Sequence, residues 1–280
     1  MQIAEIPTVI VLLSLLAANT APATAKPVFE PGTTMARIQQ AGKLRVGTRF
    51  DAPAVALKNP ISGEMEGFDI GLARAIAKRL GLTEGQIEFT EVISANRETA
   101  LSQGLIDINV SGYVVNDKRR AVVGQVGPYI SVSTRLFINE ADKDRFKTTE
   151  DMKGMTICSP PTSSSVPFIQ KFGAKLIPIN DNSVCLQQIS SRQVDGTLSN
   201  DLYSVGFLNK YPGLVISDLP PFTREGWGVG FRKDDIAFCN FLRGVVNEFI
   251  DSGEWKASWD ATFGALGLAR QTPPRPDDRC

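Results

Sequence analysis

Residues 69–80, DIGLARAIAKRL, decide how the rest of this chain is read. Leu72, Ile76 and Leu80 stand at i, i+4 and i+8 with Ala73 and Ala77 beside them, a stripe that predicts an amphipathic helix. Asp69 is the expected N-cap and Gly81 the stop. Working outward, LRVGTR (44–49) is a short β-rich run, followed by a Pro/Gly loop from Phe50 to Gly67. IEFTEV (87–92) alternates as a strand, 96–103 reads as a short helix ending at Gly104, and IDINV (106–110) is a strand again. Strands separated by single helices imply parallel pairing and an α/β sheet.

The rhythm then repeats. TIC (156–158) is followed by a Ser-rich turn, a helix around 165–172, KLIPI (175–179), a helix from Ser183 to Ser191, and VDGTL (194–198). Later, Phe238, Phe241, Leu242, Val245, Val246 and Phe249 share one face of a long helix. Two α/β lobes are therefore expected, the first over 43–132 plus 230–267 and the second over 133–229. A lead-in covers 26–42 and a Pro-rich tail 268–280. The chain crosses between lobes near 130–138 and again near 228–232, both strand-like. One continuous doubly wound domain is the alternative.

Composition narrows the chemistry. The 280 residues carry 30 Lys+Arg against 30 Asp+Glu, so no electrostatic feature points to nucleic acid. There is no histidine. Ser-His-Asp and Cys-His nucleophiles, HExxH zinc sites and histidine-bound haem are excluded, leaving carboxylates, Lys, Tyr or Cys for any catalysis. Neither a metal nor a cofactor is expected. IPTVIVLLSLLAA (6–18) has signal-peptide length, and Ala23-Thr24-Ala25 is an A-x-A cleavage pattern, placing the mature start near Lys26. The leader carries Glu5 and no Lys or Arg, and no lipid-anchor cysteine follows it. An exported chain with four cysteines (Cys158, Cys185, Cys239, Cys280) is expected to hold two disulfides. Three pairings are open; the sequential one, Cys158–Cys185 with Cys239–Cys280, is favoured over its rivals and over free thiols.

At this point the motifs resemble a known family, the extracellular solute-binding proteins of polar amino-acid ABC transporters. GFDIGLARAIAKRLG (67–81) is similar to its signature, with Gly71 where a second acid is usual. VGTRFDAPAVALKNPISGEMEGFD (46–69), SANRETALSQGLIDI (94–108), KRR (118–120), GPY (127–129), VDGTLSND (194–201) and GWGVGFRKDD (226–235) follow in order. The likeness spans roughly residues 40–265 and is greatest to the subgroup that binds glutamate. Cys158 and Cys185 fall where that subgroup carries a disulfide. The resemblance implies a two-lobed periplasmic-binding-protein-like fold (type II) with two crossover hinge strands and the ligand in the cleft between lobes. The lobes close around it by a hinge, and a membrane permease recognises the closed form.

The same resemblance assigns the site. Arg119 stands where the family forks the ligand α-carboxylate through two parallel charge-assisted bonds; otherwise it is a surface arginine beside Lys118 and Arg120. Arg49 and Arg97 stand near the expected side-chain carboxylate, with a salt bridge to Glu98 or Asp107 as the rival role for Arg97. Ser163 and Ser164 enter a helix, either to meet a carboxylate or simply to cap it. Asn200 replaces the acid that holds the ammonium, and Asp201 follows it. Gly112, Val114 and Asn116 replace threonines. Phe50 and Tyr113 are candidate cleft walls, while Trp255 and Trp259 read as core.

The expected function is a non-catalytic, monomeric periplasmic receptor that delivers a polar, acidic amino acid (glutamate- or aspartate-like) to an ABC permease in the inner membrane. The rivals are a sensor domain for a membrane partner and a same-fold dehydratase-type enzyme, for which Asp51 and Asp201 are the candidate acids and bases. Without histidine, capture is expected to be flat from about pH 6 to 8.

Overall fold

The computed structural model describes residues 26–280; the apolar leader and the A-x-A pattern lie outside the described residues. Helix α1 (Thr34–Ala41) leads into β1 (Leu44–Thr48) and a small three-stranded sheet, β2 (Asp51–Ala52), β3 (Ala56–Lys58) and β4 (Met65–Glu66). Then come α2 (Phe68–Arg79), β5 (Ile87–Glu91), α3 (Arg97–Ser102), β6 (Ile108–Asn109), α4 (Asp117–Arg120) and the long β7 (Gly124–Asn139). The second set is β8 (Thr156–Ser159), α5 (Val166–Lys171), β9 (Lys175–Pro178), α6 (Asn182–Ser190), β10 (Gly196–Asn200), α7 (Asp201–Leu208) and β11 (Leu214–Ile216). Strand β12 (Thr223–Phe231) returns, followed by α8 (Ile236–Asp251) and α9 (Glu254–Ala261).

The sheet runs β5-β1-β6-β12-β7-β10-β8-β9, with β11 also on β7. Pairing is parallel within each half, β1 with β5 and β6, and β8 with β9 and β10. The halves meet through the antiparallel pair β7–β12. One end of that pair joins β6, at Gly230 and Phe231, and the other joins β10, at Thr134 to Ile138. These two strands are thus the only β connection between two parallel half-sheets among the described residues, which makes the fold two-lobed. The register slips between Trp227 and Val229. Gly228 sits in that slip because a Cβ there would lie 2.6 Å from Val126 O.

Each lobe has its own core. In the first, Phe68 at the start of α2 is fully buried among Tyr129, Phe249, Trp255, Trp259 and Phe263. Trp255 and Trp259 stack at 5.3 Å, and the Trp255 indole N–H donates to Tyr129 O, so both are core residues as their spacing predicts. The second lobe packs Leu136, Ile138, Phe146, Ile157, Ile169 and Leu198. Of the expected apolar face on α8, only Phe241 is incompletely buried, and it meets Phe29 edge-on.

One expectation changes. Asp69 does not cap α2: Gly67 holds that position at φ 130, where a Cβ would strike Val55 O. The Asp69 carboxylate instead turns into the first lobe, where it is fully buried. The tail is irregular but fastened at several points. Arg120 pairs with Asp277 at 2.9 Å, Arg279 with Asp117 at 2.7 Å, and Asp277 N donates to Gly127 O. Cys239 faces Cys280 and Cys158 faces Cys185, with Cα separations of 5.8 and 5.5 Å, the span of a disulfide. No helix among the described residues is long and apolar enough to cross a membrane.

Candidate functional site

Strand ends and helix starts of both lobes converge on a cleft beside the β7–β12 pair. Its lining includes Ser94, Arg97, Gly112, Val114 and Arg119 from the first lobe and Pro160, Ser163, Ser164, Asn182, Ser199, Asn200 and Tyr203 from the second. Seven of the nine expected ligand residues therefore share one cavity; Arg49 and Asp201 do not line it.

Arg119 is carried by α4, whose N-cap is Asn116: its Oδ1 accepts from Arg119 N at 2.9 Å. Asn116 thus holds the turn that presents the arginine. The Arg119 guanidinium donates to Val114 O at 2.8 Å, lies 4.7 Å from the Tyr113 ring, and stands 3.3 Å from Glu98. Only 11% of its side chain is exposed, so it is a cleft residue and not a surface one. Its neighbours divide the other roles, Arg120 binding Asp277 and Lys118 facing solvent.

Arg97 opens α3 and is 5% exposed. Its guanidinium donates to Ser111 O at 2.9 Å and lies 5.6 Å from the Tyr113 ring, while its Nε is buried without a partner. Neither rival carboxylate holds it. Glu98 accepts from Tyr113 Oη at 2.8 Å, and Asp107 is taken by Arg37 and Arg45. Burial, and then repulsion from Arg119 and Arg49, drives the Arg97 guanidinium down to about 10.

Gly112 adopts φ 63, a left-handed conformation that suits glycine. Its N–H donates to Asp69 Oδ2 at 2.6 Å, while Asp69 Oδ1 accepts from Tyr129 Oη at 2.8 Å. Desolvation lifts the Asp69 carboxyl to about 6, against the pull of these two hydrogen bonds and of Arg97. A buried acid therefore fixes the peptide that floors the cleft.

On the second lobe, Ser163 Oγ lies 2.8 Å from Ser165 Oγ, which continues to Ser159 Oγ at 3.2 Å. Neither Ser163 nor Ser164 is the N-cap of α5; Ser165 occupies that position. Asn200 ends β10, its Oδ1 accepting from Trp227 Nε1 at 3.0 Å and its amide donating to Thr134 Oγ1 at 3.3 Å. Asp201 begins α7 and turns away, accepting from Ser133 N and Leu202 N. Burial raises its carboxyl above the usual range. The one-residue shift that would bring it to the ligand is absent.

Arg49 also has a different setting from the one expected. It is 1% exposed and bonds Asp51 at 2.7 Å and Asp181 at 2.6 Å, while Ser183 Oγ donates to Asp51 Oδ2 at 2.6 Å. Arg49 and Asp51 belong to the first lobe, Asp181 and Ser183 to the second, so the cluster bridges the lobes. Burial opposes the Arg49 charge, but the Asp51 and Asp181 carboxylates outweigh it and hold the guanidinium above its ordinary range. Asp51, the other candidate acid–base, is committed to this bridge. Phe50 packs toward Ala56, Met65 and Ile70 and does not line the cleft.

Ser94, Pro160, Asn182, Ser199 and Tyr203 escaped sequence reading. Ser94 begins the SANRE segment and Tyr203 follows Asn200 by three residues, one helical turn, which was the available signal. Asn182 and Pro160 reach the cleft only through tertiary placement. No group of acids and cysteines suited to a metal ion occurs among the described residues.

Residues 44–265 match the family model for bacterial extracellular solute-binding proteins, family 3. The glutamate-binding protein GluB of Corynebacterium glutamicum is 31% identical over 227 residues, 77% of this chain and 76% of that protein. A glutamine-binding protein of Geobacillus stearothermophilus is 27% identical over 212 residues, 75% of this chain and 80% of that protein. Among solved structures, the P235GK mutant of ArgBP from T. maritima superposes with a TM-score of 0.75 at 25% identity, over 82% of this chain and 99% of that one. The chain belongs to family 3 of the bacterial extracellular solute-binding proteins.

Proposed function

We propose that this protein is an exported, non-catalytic receptor that captures a small acidic solute, of the size of glutamate or aspartate, and passes it to an ABC permease of the inner membrane. The observation that carries the reading is the pair of guanidiniums, Arg97 and Arg119, lying 5.6 and 4.7 Å from the buried Tyr113 ring and both lining one cleft between two lobes. Arg119 takes a ligand carboxylate through its fork, since its present partners are a carbonyl and a long contact to Glu98. Arg97 supplies the second positive charge, and Gly112, Val114, Ser163, Ser164 and Asn200 shape the remainder. The relatives named for glutamate and glutamine binding support a ligand of this size.

In this reading the leader is cleaved near Lys26, the mature chain is a periplasmic monomer with two disulfides, and the lobes (43–132 plus 230–267, and 133–229) close on the ligand about β7 and β12. The commitment of Asp51 to Arg49 and Ser183, and of Asp201 to backbone N–H groups, supports binding without turnover.

A thermal-shift screen of the mature protein against amino acids and small carboxylates tests it. A ligand at a hundred times its Kd stabilises by about 2.7 kcal/mol. Arg119→Ala is expected to abolish the shift and leave the unliganded melt nearly unchanged. Turnover of a hit by pure protein, or full binding by Arg119→Ala, contradicts the reading.

A further inference from the structure

The charge in the cleft is one-sided. Arg97 and Arg119 line it, and among the described residues no aspartate or glutamate does. The surrounding acids are committed: Asp51 and Asp181 to Arg49, Glu98 to Tyr113 and Arg119, Asp69 to the Gly112 N–H and Tyr129. Asp201 spends itself on two backbone N–H groups outside the lining. Two side-chain amides lie in the lining: Asn200 Oδ1 already accepts from Trp227 Nε1, and Asn182 Oδ1, buried without a partner, offers a ligand cation a neutral acceptor but no charge.

Arg97 has the opposite deficit. It is 5% exposed, makes a single hydrogen bond, to a neutral carbonyl, and keeps a buried Nε without a partner. A buried cation so poorly compensated is costly, and a ligand anion is the group that relieves it. A ligand ammonium in the same enclosure adds a third positive charge with no carboxylate to pair it, the like-charge arrangement that interfaces use to reject a partner.

We propose that the solute this cleft selects is a small dicarboxylate or oxo-acid without an α-ammonium group, held between Arg97 and Arg119. Hydroxyl and amide donors in the lining, among them Ser94, Ser164, Asn182 and Tyr203, are placed to serve its remaining oxygens. Such a ligand also works against the depression of the Arg97 guanidinium caused by burial and by Arg119 and Arg49. This inference rests on the capture reading above and names its substrate class.

The test compares probes of one carbon skeleton that differ at the α-position: glutamate, glutarate and 2-oxoglutarate, then aspartate, succinate and malate. Titration calorimetry of the mature protein is expected to rank the ammonium-free members at least about tenfold tighter, 1.4 kcal/mol, than their amino-acid partners. Asn200→Asp, which places an anion in the lining, is expected to narrow or invert that ranking; thermal melts of this variant establish that it is folded. If glutamate, aspartate or any other α-amino acid binds wild-type protein as tightly as the ammonium-free acids, this inference fails while the capture reading stands. If Asn200→Asp is folded and leaves the ranking unchanged, the missing lining acid is not its cause, and the inference fails on that ground. If no carboxylate of either kind binds, both fail.

Discussion

Arg49 of the first lobe donates to Asp181 of the second at 2.6 Å, with the arginine side chain 1% exposed. Asp51 supports the same guanidinium and receives Ser183 Oγ, so four side chains knit the lobes together. The contact exists only while the lobes are close. In the proposed hinge closure it therefore stabilises the closed conformation and leaves the open one untouched.

Weakening that contact should shift the equilibrium without touching the ligand. Asp181→Asn removes one charge from a buried pair while keeping its shape, a loss of about 1–2 kcal/mol in the closed state, or roughly five- to thirty-fold in apparent affinity. Calorimetry reads the affinity, and small-angle scattering at one sub-saturating ligand concentration should show a larger radius of gyration for the variant than for wild type. Unchanged affinity together with unchanged scattering would sink the latch.

Gly206 provides a second handle on closure. It lies in α7, and a Cβ there would meet Pro53 O at 2.5 Å and Pro53 Cβ at 2.8 Å, atoms of the other lobe. Backbone atoms cannot swing aside, so Gly206→Val wedges the lobes apart where α7 meets the β2 region. The expected outcome is at least about a tenfold loss of affinity, 1.4 kcal/mol. The unliganded melt should stay close to wild type, because the open state has no such clash. A variant that binds normally would show that closure does not bring Pro53 against α7.

The cysteine pairs make a separate prediction. Cys158 joins β8 to α6 in the second lobe, and Cys239 ties α8 to the end of the tail. Free-thiol titration of denatured, unreduced protein should find none. Reduction should cost roughly 3–4 kcal/mol per bridge at most, by the loss of loop constraint in the unfolded chain. The Cys239–Cys280 bridge is expected to come near that limit, because the ion pairs Arg120–Asp277 and Arg279–Asp117 still fasten the tail in the reduced native state, so that only the unfolded chain gains freedom. Two free thiols on Cys158 and Cys185 would overturn the pairing.

The alternation of strands and helices was legible because each element buries one face, and Leu72, Ile76 and Leu80 or Phe238, Leu242 and Val245 record that face directly in their spacing. Most of the cleft was legible too, since Arg97, Arg119, Ser163, Ser164 and Asn200 lie in quotable segments. What spacing could not convey is which charge meets which. Arg49 has a partner two residues away in Asp51, but the one that fixes its role, Asp181, lies 132 residues on. Asp69 has the look of a cap because acids favour the first helical turn; its inward orientation depends on Gly112, 43 residues later in the chain. Asn200 reads as an edited binding acid, and only the folded chain shows its carbonyl committed to Trp227.

Asp69 also changes the expectation of pH-independent capture. Its carboxyl is raised to about 6 by burial, whereas an exposed aspartate titrates near 3.9. The native state therefore holds this proton more tightly than the unfolded chain does. By linkage, its contribution to stability is fully present below about pH 4, is lost as pH rises to about 6, and is constant above. The span is about two pK units, roughly 3 kcal/mol. Subtracting the unfolding free energies of Asp69→Asn from those of wild type at each pH isolates this group, and the difference should fall across that interval. Protonation also removes negative charge from the oxygens that receive the Gly112 N–H and Tyr129 Oη. Ligand affinity should therefore be flat from pH 7 to 8 and weaken below about 6, with Asp69→Asn abolishing the pH dependence. A difference curve that stays level from pH 4 to 7 would mean that Asp69 does not titrate there, and that the flat profile expected from a chain without histidine extends to acid pH.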